Sequence, residues 1–249
     1  MFKSALLLTS FSIAIAQFAL ADEEKKTDDA KQTDSKDAVR VLFNGKDLTG
    51  WKPITETFFK NGGEIKVIDG EIEINKGKPG SGIIVDGDNK KNLLRINYQI
   101  ELDAKRTDGG DFFCGMTFPI KDDYLSMIIG GWGGKVTGLS NLNNLSAIEN
   151  ETTGVIDFEN DKWYHIKLKV TEEKIEAWLD DEKIINVKLK DKGLSIWMEQ
   201  EPVRPLGIST WYTQARVKNI KVTDLSKQVA EAEQKKPDEK DPKSSNENE

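Results

Sequence analysis

The sequence has one cysteine, Cys114, and one histidine, His165. A single cysteine excludes an internal disulfide, so an exported protein with this sequence must be stabilised by its hydrophobic core. Cys114 alternates with Met116 and Phe118, which indicates a small buried apolar side chain. One histidine and one cysteine on separate strands do not supply the nitrogen and sulfur ligands of a usual zinc site, so zinc is not predicted.

The sequence also lacks a basic patch. It contains 43 Asp and Glu against 36 Lys and Arg, for a net charge of -7, and carboxylates interrupt every lysine-rich stretch. Because binding to a phosphate backbone requires clustered positive charge, nucleic acid is excluded as a partner. The length of 249 residues and the 37% hydrophobic content predict one domain with a sizeable core.

A long apolar run occurs only at the N-terminus. Residues 5–20 are mostly apolar, follow Lys3 and end in the small-residue sequence ALA before an acidic segment. This pattern predicts a signal peptide over residues 1–21 and a secreted or periplasmic protein without membrane contact after cleavage. A membrane anchor is the alternative, but serine and glutamine interrupt the run and it is short for a span.

Two charged segments flank the predicted domain. Residues 22–38 and 226–249 contain too few aromatic and branched aliphatic side chains to offset the entropy of ordering. We therefore predict a disordered linker, a folded unit over residues 39–225 and a disordered tail. A short helix around residues 227–234 is compatible with the tail sequence.

Alternation of apolar and polar residues dominates the folded unit. Residues 94–103 alternate throughout, which predicts a strand with one buried and one solvated face. An Asp-Gly turn predicts a hairpin over residues 65–74 in which Val67 pairs with Ile72. Both segments indicate antiparallel sheet.

Further strands follow in the second half of the unit. Residues 164–170 and 175–179 predict a hairpin that pairs Val170 with Ile175, and a three-residue turn at 181–183 leads into the next strand. The last strand, around residues 215–222, breaks strict alternation and is expected to contain a bulge. Because no crossover helices separate these strands, we predict an all-β fold, an antiparallel β-sandwich of jelly-roll type.

Several motifs resemble those of a known family. Residues 42–51 read LFNGKDLTGW, 109–111 read GGD, a strand begins at 163–164 with WY, and 217–222 read VKNIKV. In this order they resemble the 3-keto-disaccharide hydrolase family, also called DUF1080 or the 3-keto-glucoside lyase/hydratase domain, over about residues 41–225. The resemblance implies a concanavalin A-like jelly roll and an exported carbohydrate-active protein that cleaves or hydrates 3-keto glycosides.

The implied reaction removes the proton at C2 of a 3-keto sugar, which the neighbouring ketone makes acidic, and expels the group at C1. It requires a base and a group that holds the enediolate oxygen. The stretch 109–153 offers candidates because it combines two apolar runs, a tryptophan between glycine pairs and a polar segment. We predict catalytic roles for Asp111, Glu149 and His165, and substrate-binding roles for Trp132, Asn150 and Trp211.

Each candidate has a structural alternative. Asp111 and Glu149 are also compatible with solvated loops or with a site for Ca²⁺ or another divalent ion, and no other cofactor is predicted. His165 can act as a base beside Asp180, which the hairpin places across from it, or can simply link two strands. The ring of Trp132 either stacks on a sugar or folds back over one end of the sandwich.

Two polar elements common in the resembled family are replaced in this chain. Residues 125–132 read LSMIIGGW where the family has an acidic run, and 209–213 read STWYT where it has Asp-His-Gly. A non-catalytic carbohydrate-binding module of the same fold is therefore the alternative function. A retaining glucanase is not indicated, because neither EIE at 71–73 nor ELD at 101–103 extends to the third acid of that motif.

Overall fold

The computed structural model describes residues 38–234. The predicted signal peptide, all but the last residue of the predicted linker, and residues 235–249 of the predicted tail lie outside the described residues. Their roles therefore stay predictions. Within the described residues, no helix is long and apolar enough to cross a membrane.

The described chain is built mainly of strands. In chain order these are β1 (Ala38–Val41), β2 (Trp51–Pro53), β3 (Ile65–Ile68), β4 (Glu71–Ile74), β5 (Gly80–Val85), β6 (Tyr98–Gly109), β7 (Cys114–Ile120), β8 (Asp123–Gly131), β9 (Val136–Ser140), β10 (Gly154–Val155), β11 (Tyr164–Val170), β12 (Lys174–Leu179), β13 (Glu182–Lys188), β14 (Gly207–Trp211) and β15 (Thr213–Asp224). The helices are α1 (Gly87–Lys91) and α2 (Ser226–Gln234), with short 3₁₀ segments at Thr57–Phe59 and Met198–Val203.

The strands form two antiparallel sheets. One has eight strands in the order β13-β12-β11-β6-β15-β4-β3, with β1 also paired to β15. The other has seven strands in the order β10-β9-β8-β7-β14-β5-β2. A single large core cluster contains side chains from both sheets. The predicted all-β antiparallel sandwich is confirmed.

The core lies between the sheets because alternate side chains of each strand point inward. Leu102 of β6 and Phe118 of β7 are both fully buried there. Burial of one such side chain contributes roughly 1.5–3 kcal/mol. Cys114 is also fully buried and free, as its alternation with apolar neighbours predicted.

The predicted hairpin registers are confirmed. Val67 pairs with Ile72, and Val170 pairs with Ile175. The register of β15 against β6 shifts between Lys218 and Lys221, which is the expected irregularity of the last strand. Patterns with a period of two therefore identified the partner residues as well as the strands.

Two predicted boundaries were wrong. The strand predicted over 94–103 begins only at Tyr98, because Asn97 takes a left-handed backbone with φ 53° that interrupts the extended chain. The turn predicted at 181–183 is one residue shorter and consists of Asp180 and Asp181, since Leu179 already pairs with Glu182. A bulge at Ala177/Trp178 restores the apolar face of β13 after this shorter turn.

The short helix that was compatible with the sequence around residues 227–234 is present as α2. Asp224 accepts a hydrogen bond from the Ser226 backbone N–H at 2.9 Å, which satisfies a donor at the helix start. The hydrogen bonding holds the pKa of Asp224 below its ordinary value. The last core residue before the helix, Leu225, is buried.

The outer face of the seven-stranded sheet carries small residues. Gly115 of β7 lies beside Ser209 of β14, and Gly138 of β9 lies beside Ile128 of β8. A Cβ on Gly138 would lie 3.0 Å from the Ala147 carbonyl oxygen, and one on Gly115 would lie 2.9 Å from the Phe112 ring. The small side chains thus let loops pack directly on this face, and these loops enclose the site.

Candidate functional site

A cavity of about 200 Å³ opens on the outer face of the seven-stranded sheet. A cavity of this volume suits one small ligand. Its floor and walls come from β8, β9, β14, the β6–β7 connection and the 3₁₀ segment at 198–203. The lining residues are Asp111, Phe112, Ile128, Trp132, Ser140, Trp197, Glu199, Gln200 and Trp211.

Asp111 provides a partly buried carboxylate at the wall of this cavity. Its backbone N–H donates to Thr213 Oγ1 at 3.0 Å, which ties the β6–β7 connection to β15. Burial raises the pKa of Asp111 above its ordinary value of 3.8, although backbone N–H groups of Phe112, Gly133 and Trp132 donate to the carboxylate and oppose that shift. A carboxylate with a raised pKa is suited to accept a proton.

Trp132 lies in the tight turn between β8 and β9, with 42% of its surface exposed. Its φ of 46° falls in the left-handed region, which non-glycine residues rarely adopt. Gly133 and Gly134 follow with φ of 84° and 91°, a backbone that only glycine accepts without strain. The turn presents the indole at the cavity wall instead of folding it over the end of the sandwich.

A buried arginine supports this turn from below. Arg106 is 8% exposed and has no carboxylate partner among the described residues. Its guanidinium donates to the carbonyl oxygens of Gly134 at 3.3 Å and Phe158 at 2.7 Å, and to Asn160 Oδ1 at 2.7 Å. These hydrogen bonds fix the base of the turn that carries Trp132.

Trp211 lines the cavity at the end of β14 and is held by other rings. The Phe112 ring stacks on it with centroids 6.1 Å apart, and Phe58 packs against it at 6.0 Å. Such aromatic pairs contribute beyond their buried area and restrict ring motion. The Trp211 ring therefore forms a fixed part of the cavity wall.

The 3₁₀ segment Met198–Val203 closes the other side. Val203 is fully buried and Gln200 is 3% exposed, so the segment is anchored on the sheet. Gln200 Oε1 lies 2.8 Å from the hydroxyl of Ser209, which also reaches the Gly115 carbonyl at 3.1 Å. This anchoring directs Trp197, Glu199 and Gln200 to the cavity.

The cavity is acidic and aromatic. Among the described residues, Asp111 and Glu199 are the only ionisable ones in the lining, and no described Lys, Arg or His contributes to it. Three tryptophans supply flat apolar surface, and Ser140 and Gln200 supply neutral polar groups. Flat apolar rings combined with a few placed polar groups are typical of carbohydrate sites.

Three of the predicted site residues converge here: Asp111, Trp132 and Trp211. Glu149 and Asn150 do not line the cavity. Glu149 accepts a hydrogen bond from Ser146 at 2.6 Å, and Asn150 donates to the carbonyl oxygens of Leu139 and Ser146 at 2.7 and 2.8 Å. Both residues organise the loop at 141–153, so the structure does not assign them a contact with a ligand in this cavity.

His165 does not reach the cavity either. It lies on the outer face of the eight-stranded sheet, where Nδ1 is 2.7 Å from Asp103 and Nε2 is 3.4 Å from Glu101. The predicted partner Asp180 instead accepts from the His165 backbone N–H at 2.8 Å. Because the whole core separates this face from the cavity, His165 is placed in a cross-strand link and away from the site.

The described residues offer no metal centre. Within 38–234, no group of at least three His, Cys, Asp or Glu side chains lies close enough to hold a metal ion. The acid pairs at 71–73 and 101–103 lie on the outer face of the eight-stranded sheet in ion pairs with Arg216 and Lys221. Neither pair is near the cavity.

Sequence reasoning missed Trp197, Glu199 and Gln200. They lie in a segment without alternation, about 85 residues after Asp111 in the chain. The signal that can identify them is the cluster IWMEQEP at 196–202, in which an aromatic and several polar residues precede a proline outside any strand. Only the fold shows that this loop meets the β6–β7 connection.

Comparison with known proteins finds one family for nearly the whole sandwich. A family model described as a 3-keto-alpha-glucoside-1,2-lyase-like domain matches residues 38–223. The match covers β1 to β14, all of β15 except Asp224, and every cavity residue. A search of curated proteins finds no match.

Solved structures with distant similarity include proteins that act on or bind glycans. One, from work on endo-acting O-glycanases of the human gut microbiota, is 14% identical, with 76% of this chain and 99% of that chain covered and a TM-score of 0.49. Domain 4 of an extracellular arabinanase from Geobacillus stearothermophilus is 13% identical, with 75% and 91% covered and a TM-score of 0.47. A carbohydrate binding module from Bacillus subtilis is 16% identical, with 70% and 96% covered and a TM-score of 0.42.

Proposed function

Because the chain belongs to the 3-keto-alpha-glucoside-1,2-lyase-like domain family, we propose that it eliminates the C1 substituent of 3-keto glycosides, with Asp111 as the base. The observation that carries the proposal is the position of Asp111. It is the one carboxylate of the aromatic cavity that several backbone N–H groups hold in place and whose pKa burial raises. A fixed position and a raised pKa both favour a base that takes a weakly acidic proton from carbon.

In the proposed reaction, Asp111 removes the proton at C2 of the bound sugar. The C–H electron pair forms the enediolate with the ketone at C3. Collapse of the enediolate forms a C1–C2 double bond and breaks the bond from C1 to the leaving oxygen, which takes a proton from solvent. Addition of water across the new double bond then gives the free 3-keto sugar, so lyase and hydrolase outcomes share the first step.

Gln200 is the proposed donor to the enediolate oxygen. Its Oε1 is engaged by Ser209, and no described residue accepts from its Nε2, so the amide N–H groups are available on the cavity side. A fixed neutral donor aimed at developing negative charge stabilises the transition state. Trp132, Trp197 and Trp211 bind the faces of the sugar.

The test is turnover of a defined substrate. Purified protein is incubated with methyl 3-keto-α-glucoside or 3-keto-trehalose, and the released alcohol and the unsaturated or hydrated sugar are followed by mass spectrometry. We expect turnover by the wild type and its loss in Asp111→Asn. Absence of turnover by folded wild-type protein on both compounds rejects the proposed activity.

A carbohydrate-binding module is the second candidate. It is favoured by the tryptophan-rich wall and by the lack of any cationic residue in the cavity lining. In that case the sugar binds, Trp132→Ala weakens binding, and neither wild type nor Asp111→Asn gives product. Calorimetry and the turnover assay on the same compounds together separate the two functions, because binding without product identifies a binding module.

Export is proposed from residues 1–21 alone, which lie outside the described residues. Expression of the full chain in a bacterial host and mass analysis of the protein outside the cytoplasm test it. We expect a mature chain that begins at Asp22. An uncut chain retained in the cytoplasm contradicts export.

A further inference from the structure

Glu199 has an unusual environment for a surface glutamate. Its Oε2 is buried and has no hydrogen-bond partner among the described residues. A buried polar atom left without a partner destabilises the folded state, more so when the group is charged, and native structures contain few of them. An acceptor of this kind requires an explanation.

The environment of Glu199 points to a ligand as the missing partner. The residue lines the cavity between Trp197 and Gln200, and no described lysine, arginine or histidine forms an ion pair with it. The next glutamate of the segment, Glu201, is paired with Arg204. A cation that could compensate Glu199 is thus present in the segment, but it is committed to the neighbouring residue.

The backbone keeps Glu199 in this position. Gln200 is hydrogen-bonded to the sheet through Ser209, and its backbone N–H donates to the Trp197 carbonyl at 2.8 Å. Val203 fixes the end of the same 3₁₀ segment in a second hydrophobic cluster with Phe59. Rotation of the segment away from the cavity would break these contacts, so the free acceptor is a built feature of the wall.

We propose that Glu199 is a specificity-determining residue that accepts a hydrogen bond from a hydroxyl of a neutral sugar. This inference rests on the proposed function for the identity of the ligand as a sugar. A hydroxyl of the bound sugar donates to the Glu199 carboxylate at the cavity wall, and a sugar that lacks this hydroxyl leaves the carboxylate without that donor. A sugar that carries a carboxylate meets Asp111 and Glu199 without any compensating cation in the lining, so anionic sugars are rejected.

The substrate class is therefore a neutral glycoside, as opposed to a uronic acid or a sulfated or phosphorylated sugar. Glu199 is not assigned a role in bond breaking. Glu199 determines which sugars bind in the cavity. Its effect is consequently measurable as binding in a protein that performs no chemistry.

The experiment uses the full chain with Asp111→Asn, alone and combined with Glu199→Gln. Calorimetry measures binding of methyl 3-keto-α-glucoside, its 2-, 4- and 6-deoxy analogues and its C6 uronic acid. With Glu199 present, we expect one deoxy analogue and the uronic acid each to bind about tenfold to a hundredfold more weakly than the parent sugar. With Glu199→Gln, both differences shrink to a few-fold, because an amide neither repels the carboxylate nor accepts as strongly.

Glu172→Gln is the control, since it removes the same charge at an exposed position between β11 and β12, outside the cavity lining, and leaves the Glu201–Arg204 ion pair intact. It must leave the ligand ranking unchanged, and thermal denaturation must show that Glu199→Gln is at least as stable as its parent. If Glu199→Gln keeps the full deoxy and uronic acid discrimination, or if no analogue is discriminated by the parent, the inference is wrong. A wild type that binds with this ranking but gives no product rejects the proposed activity and leaves the role of Glu199 intact.

Discussion

Trp132 shows how one residue combines local strain with a binding role. Its left-handed backbone is the kind of unfavourable conformation that persists where the surroundings impose it, often at functional sites. The turn is imposed by the glycines that follow it and by Arg106 beneath Gly134. The indole is consequently displayed at the cavity wall with little freedom to lose on binding.

Replacement of Trp132 by Ala is expected to weaken sugar binding about threefold to tenfold, because stacking on an aromatic face contributes modestly beyond buried area. Calorimetry with methyl 3-keto-α-glucoside measures the change. Trp178→Ala is the control, since Lys167 and Lys183 cover that ring on the opposite face of the sandwich at 4.5 and 4.9 Å. Equal loss of affinity in both variants contradicts the assignment of Trp132.

His165→Gln tests the correction to the sequence-based interpretation. Its ring nitrogens contact Asp103 and Glu101 on the outer face of the eight-stranded sheet, so we expect unchanged turnover and a small change in the free energy of unfolding. Turnover assays and chemical denaturation measure the two effects. A large loss of kcat with unchanged stability would show that the histidine takes part in the reaction.

At the level of the element, the β8–β9 turn depends on the buried guanidinium of Arg106. In Arg106→Met the carbonyl oxygens of Gly134 and Phe158 lose a charged donor, which is expected to cost about 2–4 kcal/mol of unfolding free energy. Sugar affinity should fall as well, because Trp132 loses its support. Urea denaturation and calorimetry measure both.

Arg40→Met provides the comparison for that variant. Arg40 also donates to two backbone carbonyls, those of Asp88 and Asn92, but its side chain is only half-buried and these hydrogen bonds are exposed to solvent. We expect Arg40→Met to lower the unfolding free energy by less than about 0.5 kcal/mol and to leave the affinity for the sugar unchanged. If the two arginine variants are equally destabilised, burial is not what makes Arg106 important.

The eight-stranded sheet is stabilised on its outer face by charge pairs. Burial by itself raises the pKa of Glu73, but hydrogen bonding to Arg216 and the charges of Arg216 and Lys66 outweigh it and leave the pKa below 4.5. A lowered folded pKa gives stability that is present above the unfolded value and is lost as pH falls through the folded value. This face therefore contributes most at neutral pH.

Arg216→Met is expected to lower the unfolding free energy by about 1 kcal/mol at pH 7, because Glu73 loses a close partner on a partly solvated face. As pH falls below 4.5, the ordinary pKa of a glutamate, the difference from wild type should shrink, and it is lost once pH has passed the lowered pKa of folded wild-type Glu73. Thermal melts of both proteins from pH 7 to pH 3 measure this difference in stability. A difference that stays constant over this range contradicts the ion-pair account.

The hairpins were predictable because a period of two fixes both the buried face and the partner residue, as Val170 and Ile175 show. Local backbone choices were less predictable. Asp180 adopts φ 52° and permits a two-residue turn where a longer one was expected, and the bulge beside Trp178 compensates. Neither choice is visible in the alternation of apolar residues.

The site was predictable only in part for a related reason. Asp111 and Trp132 stand out beside glycines in one stretch of sequence, whereas Glu199 and Gln200 lie in a loop far away in the chain. Glu149 and Asn150 are as polar as Glu199 and Gln200, but their side chains form hydrogen bonds that organise their own loop. Whether a polar side chain serves the loop or a ligand is decided by tertiary contacts.

In the whole molecule, the two outer faces of the sandwich are specialised. The eight-stranded face carries a network of paired charges around Glu101 and Arg216, which supports stability. The seven-stranded face carries small residues that admit loops, and these loops enclose an acidic aromatic cavity. The shared core keeps the two faces independent, so changes on the charged face are expected to leave the cavity chemistry unaffected.

The pH dependence of kcat/KM for methyl 3-keto-α-glucoside tests the central claim that Asp111 is the base of this cavity. Since burial raises the pKa of Asp111 above 3.8, wild-type kcat/KM should fall as pH is lowered through that raised value, because the protonated carboxyl cannot accept the C2 proton. Asp111→Asn should bind the sugar and give no product at any pH. Turnover by Asp111→Asn at the wild-type rate, with the same acidic limb, would contradict the account.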